Sequence, residues 1–448
     1  MMSYLLYNVL LLLASPFILI ILLAKGRCRR GFSQRFGFTS PAIVRDQRPL
    51  VWIHAVSLGE SVAVAPLVKE LHRRHPDHRF VVSTVTETGR EAVEQRLTGI
   101  AEHIYAPLDF PWVVSKLIGK LRPVLYVFVE TELWPNILRK IHERGIPAVM
   151  VNGRISTGSF ARQQWKPIRY VYRTMLHQLS LCLMQSERDV ERIVSLGADP
   201  TAVRRVGNIK FDQPMPDQAG VRSLRTALRL ADAERVFVAG STHPGEEEAI
   251  LEGYRRLVVR VPSAVLIVAP RHIERIAQLE SVVRTSGFQV LRRSSMGEGG
   301  AAALSGPRVV LLDSRGELAT VYSEAEVAYV GGTLVPVGGH NLLEPAAWGK
   351  PVLFGPHTDH CQEIATLLLE AGGGLRVADV EELSKRLIHL FEHQDARAEI
   401  GRKARQVVEN NRGALRSTLE AIESLPVFDK TCEKPIRSGE SLPLMAER

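Results

Sequence analysis

The chain has 448 residues, 45% of them hydrophobic and 23% charged. That balance excludes wholesale disorder, collagen and a polytopic transporter, and the length suits two or three domains with sizeable cores. The net charge of +9 is confined to one end: no Asp or Glu precedes Asp46, while Lys25, Arg27, Arg29, Arg30, Arg35 and Arg45 supply six of the nine units. With no later basic run, the excess does not mark a nucleic-acid-binding face. Four cysteines, Cys28, Cys182, Cys361 and Cys432, form no C-x-x-C pair. Their scatter argues against a disulfide scaffold or zinc site and suits a reducing compartment.

The first element is an uncharged apolar run over 4–24, about the twenty residues a helix needs to cross a hydrocarbon core. Its basic cluster at 25–30 follows the run, whereas a secretory signal carries its positive charge in front. The pattern predicts an uncleaved anchor that leaves the rest of the chain on the cytoplasmic side. Asn8 and Pro16 leave open whether the helix spans the bilayer or lies in its interface. The basic cluster also suits anionic headgroups.

After Arg30 short β-rich runs alternate with amphipathic helical stretches, the pattern of parallel α/β layers. Strands are expected at 50–54, 80–84, 124–129, 148–152, 181–185 and 204–207, with helices at 60–75, 89–97, 111–121 and 135–144 between them. A second series places strands at 236–240, 264–269, 289–291, 309–312, 327–331 and 351–354. Its helices are expected at 244–261, 273–285, 318–322, 341–348 and 360–371, and one long helix at 395–425. The reading is a membrane anchor and flank at 1–30, a Rossmann-like domain at 31–211, a linker at 212–220, a second Rossmann-like domain at 221–426 and a disordered polar tail at 427–448. Two doubly wound domains imply a cleft between their strand ends, where such sheets bind ligands.

Four groups of residues could carry chemistry. In His54-Ala-Val56-Ser57-Leu-Gly59-Glu60 an apolar strand ends, a turn follows, and Glu60 opens a helix. Burial there would raise its pKa and the helix N-terminus would lower it, which suits a base near neutral pH; an ordinary first-turn Glu satisfies the same pattern. Glu130 and Glu132, in Glu130-Thr-Glu132-Leu-Trp134-Pro135-Asn136, directly follow another apolar strand. Acids at that point face a site or cap the next turn. Lys210, in Gly207-Asn208-Ile-Lys210-Phe-Asp212, stands at the domain junction, where it could reach an anionic ligand or remain solvated. The second half supplies Gly240-Ser-Thr242-His243-Pro-Gly245-Glu246-Glu247, Pro270-Arg271-His272 and Gly338-Gly339-His340-Asn341-Leu342-Leu343-Glu344. These offer N–H donors, a guanidinium for phosphate and a carboxylate for a ribose diol, and together they point to a nucleotide site. There is no Walker loop, G-x-G-x-x-G with a ribose acid, G-x-S-x-G, H-E-x-x-H or metal-gripping Asp-x-Asp, which favours a reaction without a metal or other cofactor.

Taken in order, H-A-V-S-L-G-E, E-T-E-L-W-P-N, G-N-I-K-F-D, S-T-H-P-G-E-E, P-R-H and G-G-H-N-L-L-E-P-A resemble the 3-deoxy-D-manno-octulosonic acid (Kdo) transferases of lipid A biosynthesis. The resemblance implies a GT-B fold and inverting transfer of Kdo from CMP-Kdo to a lipid A precursor, at the cytoplasmic face of the bacterial inner membrane. By motif it implies that Glu60 is the proton acceptor and that Glu130 and Lys210 stabilise the transition state. It also assigns CMP contacts to Pro270, Arg271, Arg315, Gly316, Glu317, Asn341, Leu342, Leu343 and Glu344. Arg315 departs from the family's M-G-E-L pattern, which puts a side-chain contact there in doubt while sparing backbone contacts. Two other readings remain open at the sequence level: a GT-B nucleotide-sugar epimerase, which would not need the anchor, and a membrane-tethered nucleotide-sugar-binding protein without turnover.

Overall fold

Long, doubly buried apolar runs such as Leu50–His54 and Pro123–Val129 are what a parallel sheet covered on both faces requires. A computed structural model describes residues 2–24, 31–37, 48–212, 224–296 and 306–428, with the side chains of 2–3 and 18–24 outside the description. The basic cluster at 25–30, the expected linker beyond Asp212 and the tail from 429 onward therefore lie outside the described residues. The chain divides into two compact units, one of Met1–Gln213 with Arg412–Arg448 and one of Pro214–Asn411.

The first unit is built on β1 (Leu50–His54), β2 (Arg79–Thr84), β3 (Glu102–Tyr105), β4 (Pro123–Val129), β5 (Ala148–Gly153), β6 (Leu181–Met184) and β7 (Val203–Arg205). These pair in parallel in the order β3-β2-β1-β4-β5-β6-β7. Chain order reverses between β1 and β4, so the ligand crevice of this unit is expected beyond the C-terminal ends of those two strands. One face of the sheet is covered by Val114, Ile118, Ile137 and Ile141, the other by Val64, Leu67, Val68 and Leu71. The second unit is built on β8 (Arg235–Thr242), β9 (Ala264–Pro270), β10 (Gln289–Arg292), β11 (Arg308–Leu311), β12 (Ala325–Val330), β13 (Val352–Phe354) and β14 (Gly374–Arg376). Its parallel order, β10-β11-β9-β8-β12-β13-β14, reverses between β8 and β12.

Several elements differ from expectation. Strands β3 and β14 were not foreseen: β3 opens on Glu102 and His103, both half-buried, and β14 has three residues. Both are edge strands, where polarity and brevity protect an unpaired ladder and erase the apolar signal. The helix expected from 244 starts at Glu247, because Gly245 turns through φ 91°. The helix expected from 341 starts at Leu343 and runs only to Ala347. The single helix expected at 395–425 is two, Gln394–Asn410 and Ala414–Glu423, broken where Gly413 takes φ 99°.

The last of these helices belongs to the first unit rather than to the second domain it was expected to close. Leu419, Ala421, Ile422 and Phe428 join the apolar layer formed by the helix Leu58–Arg74. The Asp212 carboxylate accepts from the N–H of Gly413 and of Leu415, each at 2.7 Å, and so caps the new helix start. At its far end Glu423 pairs with Arg74 at 3.0 Å and His75 at 2.9 Å.

The N-terminal helix Met2–Ala24 docks on the same unit through polar residues that recur along one face. Tyr4 Oη accepts from Gln178 Nε2 at 2.8 Å, Tyr7 Oη donates to Asp109 at 3.0 Å, and Asn8 Oδ1 accepts from Asn136 at 2.6 Å. Leu5, Leu6, Val9, Leu10, Leu12, Leu13 and Phe17 are exposed. Among the described residues no helix is long and apolar enough to cross a membrane.

Candidate active site

In the first unit the strand order puts β1 and β4 side by side, so the turns that follow them share one edge. The first turn carries Ser57 and Glu60 in a reciprocal capping box. Ser57 Oγ accepts from the N–H of Glu60 and donates to Glu60 Oε1 at 2.8 Å, while the N–H of Val56 donates to Oε2 at 2.7 Å. Glu60 is thus the first-turn Glu that the bland reading expects, but it is also only 8% exposed. Burial pushes its carboxyl up to about 7; the Ser57 and Val56 hydrogen bonds pull it down, and the charges of Glu130 and Glu132 raise it further. A half-ionised carboxylate at neutral pH is a competent general base.

The second turn carries Glu130 at φ 58°, a left-handed conformation that costs a non-Gly residue about 1 kcal/mol. Its N–H is held by the carbonyl of Val151 on β5 at 2.9 Å. Lys210 Nζ meets Glu130 Oε1 at 3.4 Å, with both side chains partly exposed. Glu132 is raised by burial, accepts from Trp134 Nε1 at 3.3 Å and feels the charge of Glu130. The predicted trio of Glu60, Glu130 and Lys210 is therefore brought together at the switch point of the first sheet. His75, Asp77 and His78, the group among the described residues that could hold a metal, lie at the opposite end of the helix that Glu60 opens.

The second unit gathers its polar residues in the same way. Thr242 ends β8 and His243 to Glu247 follow it, while Gly331 to Glu344 follow β12; these are the two strands at the switch point. Glu246, fully buried, ties the two segments together: it accepts from the N–H of His243 at 2.9 Å, of Gly332 at 2.7 Å and of Leu334 at 3.3 Å, and from Tyr329 Oη at 2.9 Å. Gly331 must be glycine, since a Cβ would sit 2.5 Å from the Ser241 carbonyl and 2.6 Å from Glu246. The Thr242 hydroxyl is buried against Glu247 at 3.0 Å, and so is not a free phosphate donor. His243 and His340 stack with ring centroids 5.0 Å apart and their Nε2 atoms 2.7 Å apart. Burial holds both below the usual imidazole range, His340 down to about 4.

Pro270 ends β9 buried, and Arg271 next to it is exposed. Asn341 folds onto the short helix, its Oδ1 accepting from the N–H of Leu343 at 3.1 Å and its Nδ2 donating to Glu344 at 3.0 Å. Leu342 and Leu343 are buried, so any contact they make with a ligand is through the backbone. Arg315 is exposed, Gly316 turns at φ 88°, and Glu317 accepts from Arg293 at 3.1 Å and from Ser314. Sequence reasoning passed over Ser57 as Glu60's partner, Glu246 as the clamp, and the His243–His340 stack. The S-x-x-E spacing was the visible signal for the first. Consecutive acids at a buried strand end were the signal for the second.

Two parallel-sheet α/β units with their polar residues at the switch points are consistent with the GT-B fold. UDP-GlcNAc 2-epimerase from Neisseria meningitidis, solved bound to UDP-GlcNAc, shares the fold at a TM-score of 0.57 and 14% identity, covering 84% of this chain and 99% of that one. A likeness at that identity speaks for fold alone. The family model described as 3-deoxy-D-manno-octulosonic-acid transferase (kdotransferase) matches residues 30–213. The 3-deoxy-D-manno-octulosonic acid transferase of Haemophilus influenzae is 34% identical over 423 residues, 93% of this chain and 97% of that protein. The transferase of Bordetella pertussis is 32% identical over 402 residues, 87% of this chain and 90% of that protein. The chain belongs to the 3-deoxy-D-manno-octulosonic acid transferase family.

Proposed function

We propose that this protein is an inverting glycosyltransferase that moves Kdo from CMP-Kdo to a lipid A precursor at the cytoplasmic face of the bacterial inner membrane. Beyond family membership, one observation carries the reading: a buried carboxylate poised near pH 7, Glu60, stands beside an acid–lysine pair at the switch point of the first sheet. Glu60 takes the proton of the acceptor hydroxyl as that oxygen attacks the anomeric carbon. Glu130 eases the positive oxocarbenium character, and Lys210 offsets the donor's negative charge. In the second unit Pro270, Arg271, the segment Arg315-Gly316-Glu317, and Asn341 to Glu344 hold CMP. A guanidinium suits the departing monophosphate, which needs less charge neutralisation than a diphosphate. That difference supports transfer without a metal ion or other cofactor.

The N-terminal helix serves as the membrane attachment. Its polar face is taken up by Gln178, Asp109 and Asn136, which leaves its exposed leucines to meet lipid. The test is incubation of the purified protein with CMP-Kdo and a tetraacylated lipid A precursor. Acceptor-dependent CMP release with a product heavier by whole Kdo units supports the transferase. Nucleotide-sugar binding without turnover supports the tethered binding protein instead, and epimerised sugar without acceptor supports an epimerase.

A further inference from the structure

The Glu130–Lys210 pair joins residues far apart in the chain, and both are fixed from the end of one strand. Val151 on β5 holds Glu130 through its carbonyl. The next residue, Asn152, holds the Lys210 segment: its Oδ1 accepts from the N–H of Ile209 at 3.1 Å. A buried line of amides reinforces that grip. The Asn152 carbonyl accepts from Gln185 Nε2 at 2.9 Å, Gln185 Oε1 accepts from Asn208 Nδ2 at 3.1 Å, and Asn208 Oδ1 accepts from the N–H of Lys210 at 3.0 Å. Asn152 is fully buried, and among the described residues its Nδ2 has no hydrogen-bond partner. It also sits at φ 55°, a left-handed conformation that asparagine tolerates better than other side chains. An orphaned donor and a left-handed backbone both oppose folding, so packing alone does not account for this residue.

We propose that Asn152 is a positioning residue for the transfer reaction: with Gln185 and Asn208 it sets the backbone from which Lys210 reaches Glu130. The inference rests on the Kdo-transfer reading above, in which that pair acts on the reacting sugar. Asn152 itself touches neither substrate nor leaving group. Its effect is geometric, and small displacements of a group that stabilises a transition state carry large rate penalties.

Asn152→Gly relieves the left-handed backbone while removing the acceptor, and Asn152→Asp keeps an acceptor at Oδ1. The glycine variant should lower kcat roughly 10-fold or more with the donor KM within about twofold of wild type, and the aspartate variant should recover part of the loss. In a Lys210→Met background Asn152→Gly should cost nothing further, because the group it positions is gone. Equal losses in both backgrounds, or wild-type kcat in Asn152→Gly, would overturn the proposal. If circular dichroism shows the glycine variant unfolded, Gln185→Met cuts the next link and should give the same pattern of kcat, KM and background dependence. Wild-type kcat there would overturn the proposal too. Should Lys210→Met run at the wild-type rate, the positioning role falls and the transferase reading survives. Should the wild-type protein transfer no Kdo, the functional reading is what has failed.

Discussion

Replacing Glu60 by Gln should make the protein more stable at alkaline pH while stopping the reaction. The gap between an ordinary carboxyl at 4.5 and Glu60 at about 7 corresponds to on the order of 3 kcal/mol. The sign follows from which form the fold prefers. A raised carboxyl favours the neutral state, so its contribution is fully present below pH 4.5 and is lost progressively as pH rises through about 7. Above that pH the folded protein carries the whole cost of an ionised, buried Glu60. Gln removes the charge but gives up one acceptor oxygen of the capping box, worth about 1 kcal/mol. Glu60→Gln should therefore be about 2 kcal/mol more stable than wild type at pH 8, and roughly equal to it near pH 5.

Urea unfolding followed by tryptophan fluorescence at both pH values reads this directly. Transfer at pH 8 should fall by about 10² to 10⁴-fold, the usual worth of a general base. The wild-type kcat should fall along an acid limb with a midpoint near 7, leaving about a tenth of the rate at pH 6. Lower stability of Glu60→Gln at both pH values would reduce Glu60 to a helix cap. Near-wild-type transfer by that variant would remove it from the mechanism outright.

Arg271→Ala should weaken CMP and CMP-Kdo together by roughly 10-fold or more, the worth of a charge-assisted hydrogen bond, and unchanged CMP affinity by calorimetry would show that this exposed Arg points elsewhere. Removing residues 1–24 should spare CMP binding but reduce transfer more with acceptor in vesicles than in detergent, since anchoring raises the local concentration of enzyme and acceptor. Equal vesicle activity of both forms at high salt counts against attachment through this helix. Ile422→Ala should destabilise the first unit by about 2–5 kcal/mol through the cavity it leaves, and a loss below 1 kcal/mol in urea unfolding would mean that the C-terminal helix does not complete that core.

The sequence by itself determined the class of fold, because buried parallel strands leave long apolar runs and the turns after them collect the polar residues. The stretch from Val51 to Glu60 shows both signals within ten positions, and Glu60 could be singled out on local grounds. The motif order made the family legible for the same reason: each motif sits directly after a strand, where chemistry and turn geometry restrict the residue. Two of the four edge strands, β3 and β14, were not legible, since they have little apolar surface to hide, whereas the edge strands β7 and β10 were. Nor was the break at Gly413, since one glycine in an amphipathic stretch is compatible with a continuous helix. Only the tertiary structure decided that the last helix completes the first unit, because Ile422 and Phe428 carry no mark of the surface they will cover. It alone paired Lys210 with Glu130 at a sequence separation of 80, and gave Asn152 a hydrogen bond to Ile209 at a separation of 57. A local pattern records how far a side chain is from its neighbours along the chain. The hydrogen bonds that assemble this site depend on strand order, which places β5 beside β4 and β6 and so brings the turns after them within reach.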